Sequence, residues 1–202
     1  MRRISNALLA AATLAVACSK GDKSADSVKT ADSVAALSPA ATPAPSAAPA
    51  PALSDANILA ILDAANAADS SAGSVAASKG TKTDVKSFGR DMMRDHHALR
   101  KAGEDLAKKI NVTPAAPAGD NSQATAAAWH DSLTAMPAGA AWDKAYIDHE
   151  VTYHEAVLKT AQDALNAAQN ADLKALITKA APNIQAHLDH AKQIQSKLGA
   201  TK

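Results

Sequence analysis

Cysteine is almost absent: Cys18 is the only one in 202 residues, so no internal disulfide can form and no nucleophilic or metal-binding cysteine pair exists. Aromatic residues are scarce. Phe, Trp and Tyr make up 2% of the chain, too few for the stacking platforms that hold sugars or single-stranded nucleic acid. A surplus of one charge is missing too, since 21 Lys and Arg face 20 Asp and Glu. Without a basic patch no nucleic-acid partner is expected. There is no glycine-rich phosphate loop, no Gly-x-Ser-x-Gly turn and no His-Glu-x-x-His motif, which removes the usual signatures of phosphoryl transfer, serine hydrolysis and zinc proteolysis. The stretch from His149 to His154 has one residue too many for that last motif, and its histidines fall on different helix faces.

What is present begins with a leader. Arg2 and Arg3 precede an apolar run over residues 4–17, broken only by Ser5, Asn6 and Thr13. This is the order of a signal peptide. A bilayer-spanning helix needs roughly 20 apolar residues, and Ser19-Lys20-Gly21-Asp22-Lys23 ends this run too early. Residues 1–17 are therefore expected to be removed. The stretch Leu14-Ala15-Val16-Ala17-Cys18 resembles the bacterial lipobox, with Ala15 where the usual box carries Leu. The resemblance implies diacylglycerol on the Cys18 sulfur, cleavage before it and acylation of the new amino group. An acyl carrier accounts for an odd cysteine in an exported chain; a leftover cysteine at an ordinary cleavage site is the plain alternative. Each buried methylene contributes about 0.8 kcal/mol, so two or three chains anchor firmly to a membrane. Ser19 after the cysteine, by resemblance to sorting patterns, points to the outer membrane and a periplasm-facing protein.

Residues 18–53 hold Ser, Ala, Lys and Asp, then Pro39, Pro43, Pro45, Pro49 and Pro51. Such a segment buries too little apolar surface to offset its ordering entropy and reads as an extended tether. Residues 54–200 are alanine-rich and poor in β-branched residues, which favours helix, and are long enough for one domain with a core. Apolar residues recur with helical period in four main runs. The first starts after Ser54 or Asp55 and lines up Ile58, Leu62, Ala65, Ala72 and Val75. The second starts at Thr83 or Asp84, carries Val85, Phe88, Met92, Leu99, Leu106 and Ile110, and stops at Asn111 and Pro114. A long Ala/Pro/Gly connection follows, with a short helix over residues 122–135 that can pack Trp129 on the bundle. The third main run starts near Ala140 and carries Ile147, Val151, Val157, Leu158, Ala161 and Leu165. The fourth covers residues 172–198 with Leu173, Leu176, Ile177, Ile184, Leu188, Ala191, Ile194 and Leu198, and Pro182 should kink it. Short turn, long connection, short turn predicts an all-α, antiparallel four-helix bundle with one crossover, the ferritin-like arrangement.

Polar residues interrupt each apolar stripe near its middle: Asp69 in the first helix, His96 in the second, Glu150 and His154 in the third, His187 in the fourth. In an antiparallel bundle the middles lie at one level. Two readings stay open. In one, Asp69, His96, Glu150, His154 and His187 ligate iron, zinc, copper or manganese, since neutral imidazoles and carboxylates are the donors such ions take. In the other, the histidines and carboxylates hydrogen-bond across the core and only fix helix register, leaving a structural or partner-binding module. Nothing in the chain pairs a nucleophile with a base, and no catalytic residue is assigned. Di-iron oxidase chemistry fits least, because the paired Glu-x-x-His motifs of such bundles are missing. Of the other histidines, His97 should be solvated, His149 and His190 lie on flanks, His130 sits in the connection, and His187 with His190 can form a surface metal pair.

Three segments carry a family resemblance: Val85-Lys86-Ser87-Phe88-Gly89-Arg90-Asp91-Met92-Met93-Arg94-Asp95-His96, Gly139-Ala140-Ala141-Trp142-Asp143-Lys144-Ala145-Tyr146-Ile147-Asp148, and Leu173-Lys174-Ala175-Leu176 leading to His187-Leu188. Together they resemble the bacterial domain of unknown function 4142, a ferritin-like family of exported or outer membrane proteins. The resemblance places the family's aspartate-histidine pair on Asp95 and His96, its third-helix aspartate on Asp148 and its later histidines on His154 and His187. Asp69 stands where relatives tend to have glutamate, and Tyr153 where many have aspartate. The resemblance implies fold and export and brings no established activity.

Overall fold

The structure, a computed structural model, describes residues 53–200. The leader, Cys18 and almost all of the tether read from the sequence lie outside them. The described residues form five helices and no strands: α1 (Asp55–Lys79), α2 (Thr83–Lys109), α3 (Ser122–Ala135), α4 (Ala140–Ala167) and α5 (Ala171–Ala200). None is long and apolar enough to cross a membrane.

Helix ends follow local chemistry. Ser54 caps α1 through a capping box: its Oγ accepts from the Asn57 amide at 3.2 Å, and Asn57 Oδ1 accepts from the Ser54 amide at 3.1 Å. Asp55, the other candidate for that role, reaches across to the α4–α5 turn instead, where its carboxylate accepts from the Gln169 and Asn170 amides. The start of α2 has no side-chain cap of its own. Asp143 of α4, fully buried, ties down the turn that leads into it by accepting from the Thr81 and Lys82 amides at 2.8 and 3.0 Å and from the Thr81 hydroxyl. Helix α5 runs through Pro182 without interruption; the ring removes the amide that would reach the Thr178 carbonyl.

Cross-helix pairs give the directions. Asp63 pairs with Arg100 and Ser70 with Met93 between α1 and α2, Asp148 with Gln195 and Glu155 with Lys192 between α4 and α5, and Asp84 with Lys197 and Asp172 with Lys109 between α2 and α5. Each set runs in opposite senses along its two helices. α1 and α2 approach most closely at Gly73 and Gly89, where a Cβ on either glycine would sit 2.6–2.9 Å from backbone or Cβ atoms of the facing helix. Only glycine allows that contact. α3 packs on α1 and is pinned at its C-terminus, where the Leu133 carbonyl accepts from Trp142 Nε1 at 2.8 Å and from Lys79 Nζ at 3.3 Å.

Two apolar clusters fill the helical bundle on either side of the polar residues. One holds Phe88, Met92, Trp142, Tyr146, Ile147, Leu188 and Ile194; the other holds Ile58, Leu59, Leu106, Ala161, Ala164, Leu173 and Ile177. On α1, α2 and α5 the switch between clusters falls at the interrupting polar residue, whereas on α4 Val151 and Leu158 still pack with the first cluster and the second begins at Ala161.

Candidate metal centre

All five residues that interrupt the stripes are buried: Asp69, His96, Glu150, His154 and His187 are exposed by 6% or less. The structure brings them together in two overlapping groups. His96, His154 and His187 each place a ring nitrogen within 4.8 Å of the other two, and Asp69, Glu150 and His154 place donor atoms within the same distance of one another. The three imidazole rings form a nearly equilateral triangle with centroid separations of 5.6, 5.2 and 5.6 Å.

Each histidine is held by one nitrogen and leaves the other without a hydrogen bond. His96 Nδ1 donates to Asn66 Oδ1 at 2.8 Å, with Asp69 Oδ2 behind it at 3.5 Å. His154 Nδ1 donates to the Glu150 carbonyl at 2.9 Å, with Glu150 Oε2 at 3.4 Å. His187 Nε2 donates to Asp95 Oδ2 at 3.1 Å. Since the acceptors are a carbonyl, an amide oxygen and a carboxylate, each of these nitrogens carries the proton. The remaining nitrogens, His96 Nε2, His154 Nε2 and His187 Nδ1, are buried without a partner. In a neutral ring such a nitrogen is a lone-pair donor.

Electrostatics keep the rings neutral. Burial pushes His96 down to about 3, with His154 and His187 adding to the shift. Burial lowers His154 to about 4 against the pull of the Glu150 carbonyl, and also lowers His187 against the pull of Asp95. Behind the rings, burial raises Asp69 and Glu150 well above the usual carboxyl range, and their facing positions add to the rise at Glu150. Asp69 Oδ2, both Glu150 oxygens and the neighbouring Tyr146 hydroxyl have no well-formed hydrogen bond.

The inward pattern found the five core residues but not their supports. Asn66 lies one turn before Asp69, a polar residue in an alanine-rich helix, and that spacing was the available signal. Asp95 lies on the shoulder beside His96, as its adjacency requires, and serves His187 from there. Asp148, the third-helix position of the family, is not among the clustered donors and accepts from Gln195 and Lys144 instead. His97 is exposed as expected. His190 meets Phe88 edge-on at 5.4 Å while His187 turns into the core, so the two do not form a surface pair. His149 lies between Trp129 and Tyr153, with stacked centroids at 4.1 and 5.4 Å.

No curated protein matches the chain. Among solved structures the fold is similar to a DUF305 fragment from Deinococcus radiodurans, with a TM-score of 0.62 over 71% of this chain and 95% of that one. At 10% identity the likeness concerns the fold alone. A family model described as a domain of unknown function, DUF4142, matches residues 40–194, most of the chain. The chain therefore belongs to the DUF4142 family.

Proposed function

We propose that this protein binds a transition-metal ion through His96, His154 and His187, with Asn66, Asp69, Asp95 and Glu150 holding the imidazoles from behind. The observation that carries the reading is the convergence of three buried, neutral imidazoles, each tied outward by its protonated nitrogen and left unpaired inward. Ligating histidines usually donate their second nitrogen to a carboxylate or carbonyl, which fixes tautomer and orientation. Three imidazoles suit zinc, copper or iron better than manganese, which prefers oxygen donors, and leave a fourth position open. The Asp69, Glu150 and His154 group is the oxygen-rich alternative for the same ion.

A register-fixing layer is the competing reading, and the unpaired atoms argue against it. A partly satisfied buried polar network costs more than an apolar core, so a purely structural layer should pair its members. Here His96 Nε2, His154 Nε2 and His187 Nδ1 are left over.

The setting proposed for this centre is a ferritin-like four-helix bundle. α1, α2, α4 and α5 form it, α2 and α4 run parallel, and the crossover between them carries α3. The bundle hangs by its tether from a lipid on Cys18, at the outer membrane and facing the periplasm. Mass spectrometry of the processed wild type should show the acyl mass and Cys18→Ser should lack it; an unacylated wild type overturns the anchor.

Elemental analysis tests the centre. The full chain dialysed without chelator should retain near-stoichiometric zinc, copper or iron. His154→Ala should lose it, and Asp95→Ala should weaken affinity by about 10–100-fold, as loss of an outer partner does. A metal-free protein whose melting temperature ignores all three ions would leave the register layer as the better account.

A further inference from the structure

Beyond the histidine layer, towards the aliphatic cluster, the bundle does not close. A chamber of about 340 Å³ lies there, and all four long helices contribute to its wall. Protein interiors rarely leave voids larger than a water molecule. This one arises because small residues, Ala65, Gly103, Ala161 and Ala180, occupy positions that face Leu62, Leu99, Ile177 and Ile184. A Cβ built on Gly103 would meet nothing within 4 Å.

The polar residues of the wall are Asp63, Asn66, Asp69, Arg100, Glu104 and Gln123. At the rim Arg100 and Asp63 pair at 2.8 Å, so that cation is already matched. Beside them Pro114 and Ala116 of the α2–α3 connection complete the wall. The connection is fastened at Ala115, whose amide donates to the Ala56 carbonyl at 3.1 Å and whose carbonyl accepts from Asn57 Nδ2 at 2.9 Å. The inner end is formed by Asn66 and Asp69. Asn66 is engaged by His96 and by the Leu62 carbonyl, whereas Asp69, which also lines the chamber, faces Glu150 and lies 3.5 Å from His96 Nδ1 without a hydrogen bond of good geometry.

We propose that this chamber binds a compact, largely apolar molecule bearing one hydroxyl group, of the phenol or alkylphenol class, with the hydroxyl at Asp69 and the apolar body among Leu62, Leu99, Ala161 and Ile184. Ligand pockets typically combine an apolar wall with a few polar groups that fix orientation. An O–H both donates and accepts, so it satisfies Asp69 whether the carboxyl is ionised or protonated. A carboxylate ligand is disfavoured, because Glu150 already faces Asp69 and Arg100 is taken. A dry cavity of about 150 Å³ accommodates benzene, and this chamber has room for a bicyclic or alkyl-substituted ring. The pocket does not require the histidines to hold an ion.

Calorimetric titration of the full chain, stripped of metal with chelator, tests the assignment with 2-naphthol and its hydroxyl-free counterpart naphthalene. Saturable one-to-one binding of 2-naphthol, tighter than that of naphthalene, is expected. Ala161→Phe and, separately, Leu99→Phe fill the chamber and should weaken both probes at least tenfold while circular dichroism shows the helices retained. Asp69→Ala should abolish the preference for 2-naphthol. No saturable binding of either probe, or Phe variants that bind as well as the wild type, would overturn the pocket; equal binding of the two probes would overturn the hydroxyl at Asp69. Elemental analysis of unstripped samples reports on the metal separately.

Discussion

On one side of the histidine layer Phe88, Trp142 and Tyr146 are fully buried, Trp142 stacks on Tyr146 at 5.6 Å, and α1 and α2 touch backbone to backbone at Gly73 and Gly89. On the other side Leu59, Ile177 and Ala161 are buried beside a chamber that alanine and glycine leave open. The same four helices thus pack in two ways. Three of the chain's five Phe, Trp and Tyr residues lie in the first cluster and none in the second. Large, rigid side chains with few rotamers fix the relative positions of helices better than alanine does. The aromatic end is therefore suited to hold the imidazoles in register, while the aliphatic end leaves space beside them.

The largest expected effects separate these ends directly. Trp142→Ala removes a fully buried ring and the hydrogen bond to the Leu133 carbonyl, and should cost about 3–5 kcal/mol in denaturant unfolding. Ile177→Ala, also buried but facing an existing void, should cost about 2 kcal/mol. Equal costs would mean that the two ends are packed alike. Gly89→Ala comes next. Its Cβ would lie 2.7 Å from the Ala77 amide nitrogen, the Gly73 carbonyl oxygen and the Ala76 Cβ, so the helices must part, at about 1–3 kcal/mol. A neutral result would show that α1 and α2 adjust freely there.

The layer between the ends should titrate in two opposed directions. In metal-free protein His96 and His154 titrate at about 3 and about 4, below the value of about 6.5 in an unfolded chain. As pH falls below ~6.5 the unfolded state takes protons first, so stability is lost down to the folded values, at up to about 1.4 kcal/mol per pH unit per histidine. Asp69 and Glu150, raised by burial, act oppositely: the folded state holds protons longer, and stability is lost as pH rises above ~4 through their folded values. The slopes partly cancel between pH ~4 and ~6.5. Asp69→Asn with Glu150→Gln should stabilise metal-free protein at neutral pH and steepen the acid loss, and His96→Gln should flatten it. Melting curves with chelator from pH 4 to 8 decide this; parallel profiles for all variants would uncouple the layer from folding.

How much of this was legible in the sequence depends on whether a residue's role is local. Helix positions and the buried fates of Asp69, His96, Glu150, His154 and His187 follow from period alone, because a polar residue on an apolar stripe has nowhere to go but inward. Asp143 was not foreseen as a support of the α1–α2 turn, since the Thr81 and Lys82 amides it serves lie 62 and 61 residues away in sequence. Gly73 and Gly89 read singly as weak helix formers, and their contact exists only once α1 folds back on α2. Ala65 and Ala161 read as core, because an inward alanine looks the same whether its neighbours fill the space or leave it. The supports and the chamber are tertiary facts, whereas the layer is a periodic one.

Gly103 turns that last distinction into the smallest prediction. It sits inside α2 at the chamber wall, where an added Cβ meets nothing within 4 Å. Alanine there keeps the helix, loses less backbone entropy on folding and fills part of the void, so Gly103→Ala should stabilise by up to about 1 kcal/mol in equilibrium unfolding. The same substitution at Gly89 should destabilise. One methyl group thus reads the packing at both ends of α2, and a Gly103→Ala variant that loses stability would mean that the aliphatic end is as closely packed as the aromatic one.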